Sequence, residues 1–372
     1  MKFLHVFPDE KFIDGTIELF NESIADNDYV VLDVCKPYRY IKKYADEITS
    51  IKTNEFLEFI CNKNYNVIMF HQLWFSQYKL VLNLPETIKV IWSSFGIDIY
   101  NGQGCLAPLC EMDLYKPITK KIFIKNRYIY NFAKKCVYYL RHKYIQNLLL
   151  SRLDYMATVL PIEYDMIKEK TKFSAQYIPF QYVSKKNTFE ANWINSSASN
   201  ILLGNSATTT NNHLDILKIL KDRNITNNCY VPCAYGNYAY LEKLQKATHS
   251  NPFVHMLLDF MPYDEYEKLL KSCRIAVFGH VRQQAIGNIV IAMLQGSKVF
   301  LYSDSVAYKY FKKEGYIIYT IENDLTLKNI EELMTDEERE NNRRKVEKQF
   351  SFTHVKTKLN SFLKDMCLEF NL

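Results

Sequence analysis

No stretch of this sequence reaches the ~20 consecutive apolar residues of a membrane-spanning helix, so an integral membrane protein is not expected. A signal peptide is not expected either, because MKFLHVFPDEKF runs straight into a strand and turns polar at Asp9. Paired cysteines are missing. The nine cysteines, at 35, 61, 105, 110, 136, 229, 233, 273 and 367, form no CxxC pair and no Cys/His metal spacing. Several lie in apolar runs, which reads as buried free thiols in a reducing cytoplasm. No RRM, KH or helix-turn-helix signature is present, which ranks nucleic acid low among partners. Acidic residues are absent from Lys116–Arg152, and no DxD triplet is expected to hold a metal against a diphosphate.

What is present points to two α/β domains. The chain has 372 residues, 48% of them hydrophobic, enough for two cores of comparable size. In the first half, apolar strand-like runs at Lys2–Phe7, Tyr29–Val34, Asn66–Phe70, Lys89–Trp92 and Tyr155–Leu160 alternate with helical periodicity, which predicts a parallel sheet. Three of these strands deliver polar residues at their C-terminal ends: Asp9, His71 and Asp98. Each is a candidate site residue, and each is equally readable as a cap or turn residue. Polar sequence at 185–200 reads as a linker between domains 1–184 and 201–345, with a charged helical tail at 346–372.

The second half predicts six strands and five crossovers, a doubly wound sheet. Its organising stretch is Gly279–Gly296. Arg274–Phe278 (RIAVF) is a buried strand, and Ile286, Ile289, Val290, Met293 and Leu294 then fall on one helical face. The loop between them therefore stands at the carboxyl edge of the sheet, where open α/β folds bind ligands. A helix N-terminus there suits a phosphate. Gln283 and Gln284 can bond sugar hydroxyls, and Arg282 can meet an anion, although a polar loop that merely caps a helix would look similar. The first loop, from Gly204 through Asn205 and Ser206 to Thr210, is glycine-led and hydroxyl-rich, as a phosphate loop would be.

Lys116–Arg152 holds ten Lys/Arg and one His among interleaved aromatic and aliphatic residues. A basic amphipathic segment of this composition suits an anionic membrane surface, with Lys120, Lys121, Lys125, Lys134, Lys135, Arg141 and Lys143 turned toward it. A solvated basic face is the plainer alternative.

Two Rossmann-type domains facing across a crevice, a linker and a helical tail describe the GT-B architecture. The chain also resembles glycosyltransferase family 56, the TDP-4-acetamido-4,6-dideoxygalactose:lipid II transferases of enterobacterial common antigen. The resemblance rests on His5-Val6 with Asp9, Phe70-His71-Gln72, Trp92, and Phe95-Gly96-Ile97-Asp98-Ile99-Tyr100. It continues through Ile201–Ser206, Val231-Pro232 with Tyr235, Tyr266 with Leu269-Leu270, Arg282-Gln283-Gln284, Ile286-Gly287 and Gln295-Gly296. Ala285 departs from the family's glycine, Asn288 from its threonine, and Arg274 from its aspartate.

The resemblance implies an inverting, metal-independent transfer from a nucleoside-diphosphate sugar, dTDP-linked in that family, to a polyprenyl-diphosphate-linked saccharide. This would serve bacterial surface antigen biosynthesis at the cytoplasmic face of the inner membrane, with the protein peripheral and no cofactor. Donor contacts are then expected from Gly204, Asn205, Ser206, Tyr235, Arg282, Gln283, Gln284, Gly287 and Asn288. One of Asp9, His71 and Asp98 would be the base, and with no metal, helix N-termini and Arg282 would neutralise the leaving group. A GT-B-fold sugar-nucleotide epimerase would share the architecture without needing the basic face. A non-catalytic membrane-associated scaffold would need the face but not the Arg282-Gln283-Gln284 loop.

Overall fold

The computed structural model describes residues 1–100, 113–123, 143–171, 173–183 and 198–370. In chain order its elements begin β1 (Lys2–Phe7), α1 (Ile13–Asn21), β2 (Asp26–Leu32), β3 (Ile48–Ile51), α2 (Phe56–Cys61), β4 (Val67–His71) and α3 (Tyr78–Leu82). Next come β5 (Lys89–Ser93), α4 (Ile97–Tyr100), α5 (Pro117–Phe123), a helical stretch α6 at 143–152, β6 (Tyr155–Ala157), α7 (Pro161–Lys170) and β7 (Gln176–Tyr177). The later half runs β8 (Asn200–Leu203), α8 (His213–Asp222), β9 (Cys229–Pro232), α9 (Tyr238–Thr248), β10 (Val254–Leu257), α10 (Tyr263–Ser272) and β11 (Cys273–Phe278). It ends with α11 (Ile286–Leu294), β12 (Lys298–Leu301), α12 (Val306–Lys313), β13 (Tyr319–Thr320), α13 (Ile321–Asp324), α14 (Leu327–Glu331), α15 (Asp336–Phe350) and α16 (Phe352–Glu369).

The chain divides into two compact units. Met1–Glu111, Tyr128–Thr188 and Gln349–Leu372 make the first, and Met112–Arg127 with Phe189–Lys348 make the second. Among the described residues, each contains one wholly parallel sheet. The first runs β3-β2-β1-β4-β5-β6-β7 and the second β10-β9-β8-β11-β12-β13. Both orders reverse direction at their centre, between β1 and β4 and between β8 and β11. A switch point of this kind leaves a gap at the carboxyl edge, where side chains from two loops can meet.

The central strands read as unbroken apolar runs because helices cover both faces. Phe3, Leu4, Val6 and Phe7 of β1 and Ile275 to Phe278 of β11 are all buried. In the first unit, α16 completes the core: Val355, Leu359, Leu363 and Met366 pack with Phe3, Ile17, Phe20 and Tyr155. The Tyr155 hydroxyl donates to Glu369 at 2.6 Å, and Lys356 pairs with Glu22 at 2.9 Å. The tail is thus part of the first unit rather than a separate appendage.

A second difference concerns α5, which the sequence places in the first domain's basic face. It docks on the second unit instead. Ile118, Ile122 and Phe123 pack against that unit's core. Asp215 of α8 caps α5, accepting the N–H groups of Ile118 at 2.8 Å and Thr119 at 2.9 Å and the Thr119 hydroxyl at 2.6 Å. Lys116 pairs with Asp304 at 2.8 Å and lies 4.1 Å over the Tyr302 ring. Three apolar side chains on one face of a short helix outweigh the cationic character of the opposite face, because only the apolar face gains by leaving water.

Candidate functional site

In the second unit the loops after β8 and β11 meet, and Gln284 makes three of the bonds between them. Gln284, 9% exposed, accepts the Thr210 hydroxyl at 2.7 Å and donates to Asn205 Oδ1 and Thr208 Oγ1, each at 3.2 Å. Asn205 also donates to the Tyr235 hydroxyl at 3.3 Å, bringing in the loop after β9. That loop is further held by backbone bonds from Ala207 N to Tyr235 O and from Asn237 N to Ala207 O. Gly204, Asn205, Ser206, Tyr235 and Gln284 therefore stand together at one sheet edge, as their strand positions predict.

Close approach explains the glycines. A Cβ on Gly204, whose φ is +71°, would lie 2.5 Å from His213 Nε2. One on Gly279 would lie 2.3 Å from the Asn211 carbonyl oxygen.

Asn211 fixes the protonation of its neighbour. Its Oδ1 accepts the Asn205 N–H at 3.2 Å, and its Nδ2 donates to the Ser206 carbonyl at 2.9 Å. His280 Nε2, 2.7 Å from that same Oδ1, must then carry the proton. This leaves His280 Nδ1 a buried acceptor with no partner among the described residues. Burial first, then the nearby Arg282 and His213 charges, hold His280 well below its ordinary pKa, so the ring is neutral. Burial likewise depresses His213 to about 3. Thr208, Thr210, Asn211, His213 and His280 have no role in the sequence reading. The run from Ser206 to His213 is unusually dense in hydroxyls and amides, and that density is the signal for them.

α11 opens directly onto this cluster. Its N-cap, Ala285, adopts a left-handed φ of 57° and supplies no side-chain cap, so the first-turn N–H groups have no intrahelical partner. Glycine would reach that conformation without strain. A Cβ on Gly287 would meet nothing within 4 Å. Gln283 is 6% exposed and its Oε1 has no partner among the described residues. Arg282 bonds the Gln283 carbonyl at 3.4 Å, and Asn288 is half-buried on the first turn of α11. The result is an uncapped helix N-terminus beside amides and hydroxyls, an arrangement that suits an anion flanked by a polyol.

In the first unit the candidate residues are more committed than the sequence implies. Asp9 accepts the backbone N–H groups of Arg39 at 2.6 Å, Tyr40 at 2.9 Å and Ile41 at 3.1 Å. Asp98, 0% exposed, accepts Trp92 Nε1 at 2.8 Å, Phe95 N at 2.9 Å and Leu73 N at 3.3 Å. Burial raises its pKa to about 6 against those three bonds.

His71 lies inside a directional chain. Asn27 donates to the Phe20 and Ala25 carbonyls, so its Oδ1 must accept His5 Nε2–H at 3.0 Å. His5 Nδ1 then accepts His71 Nε2–H at 3.0 Å, His71 Nδ1 accepts the Tyr182 hydroxyl at 3.1 Å, and Tyr182 accepts Ser93 at 2.6 Å. Both imidazoles are fully buried and neutral. Burial lowers His5 to about 4, while burial and the His5 charge hold His71 well below 6.5.

Comparison with known proteins settles the family. The model of the family described as 4-alpha-L-fucosyltransferase, glycosyl transferase group 56, matches residues 130–346. The chain belongs to glycosyltransferase group 56. Solved structures agree on its fold. Sucrose-phosphate synthase from Thermosynechococcus elongatus aligns at TM-score 0.65 and 8% identity, over 99% of this chain and 100% of that one. Anabaena HepE in complex with UDP and glucose aligns at 0.64 and 8%, over 98% and 100%. The apo lipopolysaccharide outer core galactosyltransferase WaaB aligns at 0.60 and 10%, over 98% and 100%. The group 56 chain is a GT-B glycosyltransferase with two parallel-sheet α/β domains.

The one DxD triplet in this glycosyltransferase, Asp26-Asn27-Asp28, begins β2, at the amino edge of the first sheet. Asp28 is taken up by Lys2 at 3.3 Å and by the Tyr65 hydroxyl at 2.7 Å, so the triplet does not face the loops described above.

The proposed membrane lysines separate. Lys120 and Lys121 are exposed on α5 of the second unit, with Lys120 2.6 Å from Asp113. Lys143 is exposed on α6 of the first unit, beside Tyr144 at 67% exposure and Leu148 at 37%. Lys125, Lys134, Lys135 and Arg141 lie outside the described residues. Among the described residues, no helix is long and apolar enough to cross a membrane.

Proposed function

We propose that this glycosyltransferase moves a deoxy- or acetamido-type hexose from a nucleoside-diphosphate sugar, dTDP-linked, to a polyprenyl-diphosphate-linked saccharide with inversion. The setting would be assembly of a bacterial surface polysaccharide, with the protein peripheral on the cytoplasmic face of the inner membrane. The observation that carries the donor side is Gln284, whose amide joins the Asn205–Thr210 loop to the uncapped start of α11. Free N–H groups there suit a diphosphate, and the surrounding amides and hydroxyls suit a sugar. Anabaena HepE, whose structure holds UDP and glucose, supports the same class of donor. The family description names a deoxyhexose transferase.

With the leaving diphosphate held by helix amides and Arg282, transfer proceeds without a divalent metal. On the acceptor side, the exposed Lys143, Tyr144 and Leu148 of α6 fit the headgroup region of an anionic bilayer, where charge and amphipathic rings are both accommodated.

The test is release of a nucleoside diphosphate from a panel of nucleotide sugars, with and without a lipid-linked saccharide, in excess EDTA. Release that depends on the acceptor supports the proposal. Epimerisation of the donor alone, or activity restored only by magnesium or manganese, would sink it. Reversing Lys143 to Glu together with Tyr144→Ser should weaken binding to anionic liposomes and spare turnover on a short water-soluble acceptor.

A further inference from the structure

Asp9 and Asp14 do more than cap single turns. Asp9 takes the N–H groups of Arg39, Tyr40 and Ile41, and Asp14 takes those of Lys42 at 3.0 Å, Lys43 at 3.0 Å and Tyr44 at 3.2 Å. Six consecutive backbone donors are thus stapled to the loop that follows β1 and the first turn of α1, at the switch point of the first sheet. The staple sets Arg39 and Lys11 around one ring: the Arg39 guanidinium lies 5.0 Å and the Lys11 ammonium 5.5 Å from the centre of Tyr40. Between the two aspartates stands Glu10, half-buried and charge-coupled to both cations.

A general base needs an open lone pair within reach of the hydroxyl it activates. Asp9 and Asp98 each accept three N–H bonds, and His71 is buried with both nitrogens engaged. Among the described residues, the Glu10 carboxylate accepts only the neighbouring Lys11 backbone N–H. Two cations fixed on an aromatic ring beside that carboxylate can hold an anion while the carboxylate meets a hydroxyl.

We infer that the stapled loop is the acceptor subsite: Lys11 and Arg39 on Tyr40 bind a phosphate or diphosphate group of the acceptor, and Glu10 takes the proton of its attacking hydroxyl. This rests on the glycosyl transfer proposed above. In the step, the acceptor oxygen bonds to the anomeric carbon as its proton passes to Glu10. The bond from that carbon to the donor diphosphate breaks, and its electron pair leaves on the diphosphate. Burial, partly offset by Lys11 and Arg39, raises the Glu10 pKa, which strengthens it as a base.

The experiment compares wild type, Glu10→Gln and the double variant Lys11→Gln/Arg39→Gln, each checked for an unchanged melting temperature. Binding of geranyl diphosphate is measured by calorimetry with dTDP present in excess, and transfer is measured on a short-chain prenyl-diphosphate disaccharide. Glu10→Gln should lower kcat about 100-fold or more while KM and dTDP affinity hold. The double variant should weaken geranyl diphosphate binding about tenfold and leave dTDP affinity unchanged. A Glu10→Gln enzyme keeping more than about a tenth of wild-type kcat overturns the base assignment. Equal geranyl diphosphate binding in wild type and double variant overturns the anion subsite. If no acceptor supports transfer by the wild type, the proposed reaction fails while the binding comparison still decides the subsite.

Discussion

At the scale of single residues, polar side chains that gather several hydrogen bonds serve opposite ends in the two units. Asp9 is a structural staple, and replacing it with Ala strands three backbone donors that had a charged acceptor. Charge-assisted bonds of this kind are individually worth more than neutral ones, so Asp9→Ala should cost about 2–3 kcal/mol of stability. Nucleoside-diphosphate binding should be untouched. A variant that melts like the wild type but binds nucleotide poorly would reverse that assignment. Gln284 works the other way. Its amide makes three bonds to the Asn205–Thr210 loop, each worth about 1 kcal/mol, so if that loop holds the donor, Gln284→Ala should weaken nucleoside-diphosphate affinity about 10- to 100-fold. Calorimetry on a folded variant that gives an unchanged Kd would show that the network serves only the fold.

At the scale of elements, Gly287 separates a helix device from a ligand device. It sits in the first turn of α11 with open space beside it. If nothing binds there, Gly287→Ala simply adds helix propensity, about 0.5–1 kcal/mol. If the diphosphate lies against that turn, the same methyl group crowds it. The expected outcome is a higher melting temperature together with weaker nucleotide binding, and a stabilised variant with full affinity would remove the phosphate from α11.

The central strands and α11 were legible in the sequence because burial on both faces forces continuous apolar runs and a 3.6-residue period. β3 and β7 were not: Ile48–Ile51 exposes its two middle residues, and Gln176–Tyr177 is two residues long. α5 was misplaced because its cationic face is as conspicuous as the apolar face that decides its partner. At the site, strand position alone gathered Asn205, Tyr235 and Gln284. The hydrogen bonds that commit Asp9, Asp98 and His71 join residues up to 111 positions apart, and no local pattern announces them.

At the scale of the whole molecule, buried imidazoles make the fold sensitive to acid. His5 at about 4, His213 at about 3, and the depressed His71 and His280 all stay neutral where a free imidazole, at 6.5, takes up a proton. As pH falls below 6.5 the unfolded chain binds protons that the fold refuses, so their contribution is intact above 6.5 and declines toward pH 4. Asp98 runs the opposite way. Its pKa rises from 3.8 to about 6 on folding, so it favours the folded state as pH falls through that interval. The first unit contains both kinds of group, whereas the second contains His213 and His280 without Asp98. Hydrogen exchange at pH 5 against pH 7 should therefore show β8 and β11 losing more protection than β1 and β4. Greater loss in the first sheet would contradict this.

The chain passes between the units four times, and its last segment returns to the first. A ribosome releases the first sheet early and α16 only after the second unit. Val355, Leu359, Leu363 and Met366 reach their places against Phe3 and Phe20 only after all of the second unit has been made. The nascent chain thus carries an uncovered apolar surface while the second unit is being made, and the unit begun first is completed after the other.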